Sequence, residues 1–251
     1  MTAVDVRTVR VDAIGWSGLV KLGAWAALTS VVMIVLQIAI YLLWPPPDTT
    51  VGFYDLLVEN PLYGLITLDV LYVVSNVLAF LVYLALAVVL WRAGRSAVVV
   101  ALSFGVLGMA AYLASVRPVE MLSLAKAYEA AGPAERVALI AVGDGMLATW
   151  TGSAFDIYYF FNLVTLLVFA VLMYRCAVFS RATAHWALAA ALLMAVPSNF
   201  GTVGLAFALA SLVPWSVFAV LASRRLFELV AGGPAVPTGS GKVAPAHAAL
   251  R

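Results

Sequence analysis

Six apolar runs punctuate the chain, over about 22–44, 64–91, 97–116, 154–174, 183–199 and 203–223. A bilayer core of ~30 Å takes about 20 helical residues to cross, because lipid offers backbone groups no partner except the helix itself. The pattern therefore predicts an all-α fold, a polytopic transmembrane helix bundle of six spans over residues 22–230. A cytoplasmic N-terminal segment (1–21) precedes it and a Gly-, Pro-, Ala- and Ser-rich tail (231–251) follows, the latter expected to be disordered. The first run is too long for a cleavable signal and ends in Trp44-Pro45-Pro46-Pro47 rather than a small-residue cleavage site, so it is expected to stay as an anchor.

Two connections are long. Residues 45–61 interleave Phe53, Tyr54, Leu56 and Leu57 with Asp55 and Glu59, a short amphipathic pattern suited to the headgroup region. Residues 117–153 hold two helical stretches, one over about 119–130 and one starting at Pro133, a residue favoured in a helix's first turn. Gly143-Asp144-Gly145 is expected to interrupt the second, with Asp144 in a turn. These helices, within 117–150, are expected to cover the outer mouth of the bundle; the second also suits a re-entrant or seventh segment.

Composition supports the membrane assignment: 65% of residues are hydrophobic and 10% charged, against ~25% charged in soluble domains. A net charge of +2 without a basic stripe excludes a nucleic-acid partner. Nine Lys and Arg (Arg7, Arg10, Lys21, Arg92, Arg95, Arg175, Arg181, Arg224, Arg225) fall on one side of the six runs and three (Arg117, Lys126, Arg136) on the other. Positive residues are held in the cytoplasm, so both termini are expected there, in a cell (inner) membrane. One Cys (Cys176) and two His (His185, His247) exclude an internal disulfide and a His-rich metal or haem site. Gly239-Ser240-Gly241-Lys242 lacks the spacing and the following Ser/Thr of a phosphate loop. No cofactor is expected; the expected partners are membrane lipids, a lipophilic small molecule, and a second copy or another membrane protein.

Ionisable groups inside spans are costly and usually face the bundle interior. Asp69 lies in the second run and Asp156 opens the fourth. At 100° per residue Asp69, Tyr72, Asn76 and Tyr83 share one helical face, while Asp156, Tyr159 and Asn162 sweep an arc of about 120°. Both aspartates fall in the outer half, where they suit one outward-facing polar pocket, with Asn199 of the Pro197–Gly201 turn at its mouth. Asp156 equally suits a helix N-cap, and Asp69 a bond between helices. Gln37 reads as packing glue, and Pro214 as a kink in the sixth span.

Three stretches, Phe155-Asp156-Ile157-Tyr158-Tyr159-Phe160-Phe161-Asn162, Val196-Pro197-Ser198-Asn199-Phe200-Gly201 and Leu212-Val213-Pro214-Trp215 through Arg224-Arg225-Leu226, resemble a family of small prokaryotic multi-span membrane proteins classed as a domain of unknown function. The resemblance implies a bacterial or archaeal integral membrane protein and carries over no catalytic residue. The residues support an outward pocket binding a lipophilic or small amphiphilic molecule. Two alternatives stay open: a metal-independent enzyme using an Asp general acid on an isoprenoid or lipid, and a proton-coupled carrier.

Overall fold

The computed structural model describes residues 15–232. Most of the 1–21 segment, with Arg7 and Arg10, and nearly all of the 231–251 tail lie outside the described residues. Among the described residues there are ten α-helices and no strand. Six of them form a closed ring: α1 (Ser17–Leu43) packs on α4 (Val70–Leu90) and α10 (Gly201–Val230), α10 on α9 (Arg181–Leu193), α9 on α8 (Ser153–Arg175), α8 on α5 (Arg95–Ser115), and α5 on α4. Five stretches are long and apolar enough to cross a membrane: Ser17–Leu43, Val70–Leu90, Arg95–Ala130, Pro133–Arg175 and Gly201–Val230. Helix α9 has 13 residues, roughly 20 Å at 1.5 Å per residue. The chain beyond it nonetheless reaches the far end of α8, because the Asn199 amide donates to the Thr151 carbonyl at 2.9 Å.

One half of the ring is tightly packed. Every buried residue of α1 falls between Val20 and Ser30, and most are small: Gly23, Ala24, Ala26, Ala27 and Ser30. Small residues let helix backbones close up where apolar attraction alone gives no drive to associate. The Ser223 hydroxyl of α10 donates to the Ala24 carbonyl at 2.8 Å, and a Cβ on Gly23 would stand 2.3 Å from that of Ala85. Past Ser30 the inward residues of α1 become Ile34, Gln37, Ile38 and Tyr41, which hold the helices apart around a cavity.

The hollow half is covered by four shorter helices: α2 (Thr50–Glu59), α3 (Pro61–Thr67), α6 (Pro118–Ala130) and α7 (Pro133–Trp150). Local chemistry starts them. The Thr49 hydroxyl caps α2 by accepting from the Gly52 N–H at 3.1 Å, and Asn60 caps α3 ahead of Pro61. Phe53, Tyr54, Leu57, Leu68, Met121 and Ala125 form their shared core. Helix α7 differs from expectation: it runs unbroken through Gly143-Asp144-Gly145. Gly143 marks the closest approach to α2, where a Cβ would meet the Tyr54 hydroxyl and Thr50, and the Thr50 hydroxyl donates to the Asp144 carboxylate. Asp144 is thus a helix-to-helix contact rather than a turn residue. Helix α10 also continues through Pro214 as one helix.

Candidate functional site

The second apolar run does not form one continuous helix. It breaks at Leu68-Asp69, and Asp69, the residue before α4, sits in the left-handed region at φ 65° and ψ 16°. Asp tolerates this conformation better than most residues, which is why no Gly or Pro is needed to mark the break. Because Asp69 stands outside the helical register, its side chain is aimed by the break rather than by the period expected for it. Its carbonyl still accepts the Val73 N–H at 2.8 Å, opening α4.

Three donors from three other elements converge on this carboxylate. The Tyr112 hydroxyl of α5 and the Trp150 indole N–H of α7 donate to Oδ2 at 2.8 and 2.7 Å, and the Tyr41 hydroxyl of α1 donates to Oδ1 at 3.3 Å. The Gln37 amide in turn donates to Tyr41 at 3.4 Å, so the residue read as packing glue extends this network. No described Lys or Arg pairs with Asp69. Trp150 also packs edge-on against Phe53 of α2, so one side chain ties the cover to the carboxylate at the ring's mouth.

Below Asp69 lies a cavity of about 450 Å³, within the range of small-molecule sites. Its α4 and α8 walls are polar. The Tyr158 hydroxyl donates to Asn76 Oδ1 and accepts from Tyr72 at 3.4 Å, and the Asn162 amide donates to the Tyr158 carbonyl at 3.0 Å. At the floor, Tyr83 donates to Asn162 Oδ1 at 3.2 Å and meets Trp215 edge-on. The α1 and α10 walls are mostly apolar, through Ile34, Ile38, Leu205, Leu209 and Leu212, with Ser30, Gln37, Tyr41 and Ser211 set among them.

Two polar atoms of α4, buried just behind the cavity lining, have no protein partner: the Ser75 hydroxyl and the Asn76 Nδ2. Asn76 is 3% exposed and both residues line the cavity. Buried amide and hydroxyl groups are almost always bonded. Ser30, Ser103, Ser211 and Ser216 all donate back to a carbonyl of their own helix, whereas Ser75 does not. Reversing the Asn76 amide would only exchange donor for acceptor, leaving one polar atom open either way.

Of the residues read from the sequence, Asp69, Tyr72, Asn76, Tyr159, Asn162 and Asn199 all line the cavity. Asp156 does not. It stands behind the rim, accepting from the Asn199 amide at 2.8 Å, so among the described residues Asp69 is the single carboxylate of the lining. Sequence reasoning missed Tyr41, Ser75, Tyr112, Trp150 and Tyr158 as parts of the network. Tyr158 had a readable signal, since it lies four residues before Asn162 and so on the same helical face; Trp150 had none, because its role depends on how α7 folds over the ring.

Among the described residues no group of three His, Cys, Asp or Glu side chains is placed to hold a metal ion. Burial pushes the half-buried Cys176 thiol up, which keeps it protonated and unreactive at neutral pH. No family model, curated protein or solved structure matches the chain.

Proposed function

We propose that the protein is a six-span inner-membrane protein, both termini cytoplasmic, whose cavity binds a lipophilic or small amphiphilic molecule. Membership of the prokaryotic family resembled by the three stretches at 155–162, 196–201 and 212–226 is part of this reading. The orientation rests on the nine-to-three Lys and Arg asymmetry. The crossing added to the five long stretches is the fifth run, residues 183–199, short as a helix but level with both ends of α8: Asn199 bonds Thr151 at one end, and Arg225 bonds the Val178 carbonyl at the other. The covered, hollow half then faces outward.

The observation that carries the binding reading is the pair of unpartnered polar atoms on Ser75 and Asn76, opposite an apolar wall. A guest with an apolar body and a hydrogen-bonding head offers these groups partners once their side chains turn toward the cavity. The enzymatic and proton-carrier alternatives need an aspartate, Asp69 or Asp156, to exchange a proton with a guest or solvent, and of the two it is Asp69 that lines the cavity. Both its oxygens already accept bonds from the protein, so the binding reading asks less of the geometry.

Native mass spectrometry of the detergent-purified full chain tests this. Wild type and Asp156→Asn are expected to retain a small molecule that Asn76→Leu loses. An empty wild-type protein overturns the reading, as does equal retention by Asn76→Leu.

A further inference from the structure

The cavity wall formed by α1 and α10 is incomplete. The two helices are close at the packed end, where Ser223 bonds Ala24 and Trp25 meets Phe227. Toward the cover, α1 has no buried residue after Ser30, and α10 has only Gly204 buried before Ser211. Ile38, Leu205 and Leu209 line the cavity, yet they are 36%, 52% and 52% exposed. Lining side chains this exposed, on stretches of α1 and α10 with almost no buried residue, place an opening at this seam. That opening is apolar and lies between two helices each long and apolar enough to cross a membrane. At the end facing water the cover and Trp150, bonded to Asp69, narrow the mouth to a polar rim of Thr151 and Asn199 beside Pro46, in contrast to the apolar side opening.

Resting on the cavity reading above, the geometry points to a lateral portal between the cover-side halves of α1 and α10, through which an uncharged, chain-bearing lipid enters from the membrane. Its tail lies in the apolar portal, and an ester, carbonyl or hydroxyl oxygen reaches Ser75 and Asn76. The charge of the guest follows from the lining: among the described residues no Lys, Arg or His faces the cavity, and its one carboxyl is that of Asp69. A phosphate or carboxylate headgroup would enter without a counter-charge, at heavy desolvation cost. A neutral oxygen loses little and gains the two open donors.

The test uses the full chain in phosphatidylcholine vesicles with two photoreactive probes, a long-chain alcohol carrying a mid-chain diazirine and its phosphate monoester. Labelled peptides are mapped by mass spectrometry. The alcohol is expected to label the cavity segments of α8 and α10 at least about tenfold more than the phosphate, the penalty for an unpaired charge. Ile38→Trp and Leu209→Trp, which fill the portal from the lipid side, are expected to slow labelling several-fold. Asn76→Leu is expected to abolish its cavity pattern.

Equal labelling by both probes overturns the neutral-guest assignment. Unchanged labelling in both Trp variants, with loss in Asn76→Leu, overturns the portal and leaves the binding site standing. No cavity labelling of wild type by either probe removes portal and site together. A second readout avoids bulky substitutions: with Cys176→Ser, Ile38→Cys and Leu209→Cys are expected to react with a bilayer-dissolved alkyl maleimide faster than with a charged sulfonate reagent. The reverse order overturns the portal.

Discussion

The two halves of the helix ring are built from the same six helices by opposite means. At the packed end, small residues on α1 and α10 let backbones approach, and the core is Ala, Val, Leu and Phe. At the covered end, Ile, Gln and Tyr on α1 hold the helices apart, and the space is lined by Tyr and Asn from α4 and α8 and by Asp69 at the break before α4. The change falls between Ser30 and Ile34, about one turn of one helix. Side-chain size thus decides where a membrane bundle is solid and where it is hollow, because dispersion between close backbones, not water exclusion, holds such helices together.

The sharpest way to break the contrast is to hollow out the solid half. Gly23→Leu would place a side chain where even a Cβ stands 2.3 Å from that of Ala85 and 2.9 Å from the Leu81 carbonyl. Overpacking of this kind costs about 3 kcal/mol. Unfolding in detergent is expected to shift by that amount, whereas Ile34→Leu, beside the cavity, should shift it little. Equal effects at the two positions would erase the distinction.

The next effect belongs to the seam between ring and cover. Asp69→Ala removes the acceptor of Tyr41, Tyr112 and Trp150 and leaves buried donors unsatisfied, a loss of about 2 kcal/mol. Asp69→Asn keeps an acceptor oxygen and a residue that tolerates the left-handed backbone, and is expected to lose about half of that. Limited proteolysis within 117–150 reads the cover directly: cleavage should rise in Asp69→Ala and in Trp150→Phe, which retains the packing on Phe53 but not the N–H. Unchanged protection in both would show that the carboxylate does not hold the cover.

How much of this was legible in the sequence follows the same division. The apolar runs at 22–44, 97–116, 154–174 and 203–223 coincide with helices because length and hydropathy alone decide a span. The run at 64–91 hid its break, since no Gly or Pro marks Asp69 and its conformation is set by partners far along the chain. The run at 183–199 hid a short helix, because the apolar residues after Leu193 continue as turn and loop. Tyr72, Asn76, Tyr159 and Asn162 were readable from helical spacing, a local property. Asp156 was misread as a second pocket carboxylate because spacing fixes a face but not what that face meets; in the fold it meets Asn199.

The smallest effects separate the two polar roles within the cavity wall. Tyr158→Phe deletes the hydroxyl bonded to Asn76 and Tyr72, and is expected to cost about 1 kcal/mol, an ordinary buried hydrogen bond. Ser75→Ala should go the other way. Its hydroxyl is buried with no protein partner, so removing it relieves a desolvation penalty, and stability should stay level or rise by up to about 1 kcal/mol. If the hydroxyl exists for a guest, the same substitution weakens retention of that guest in native mass spectra while the protein becomes no less stable. Stability gained with binding lost is the signature of a group kept for function against the interest of the fold; stability lost would instead mean that Ser75 serves the helix, and would return it to the solid half of the comparison.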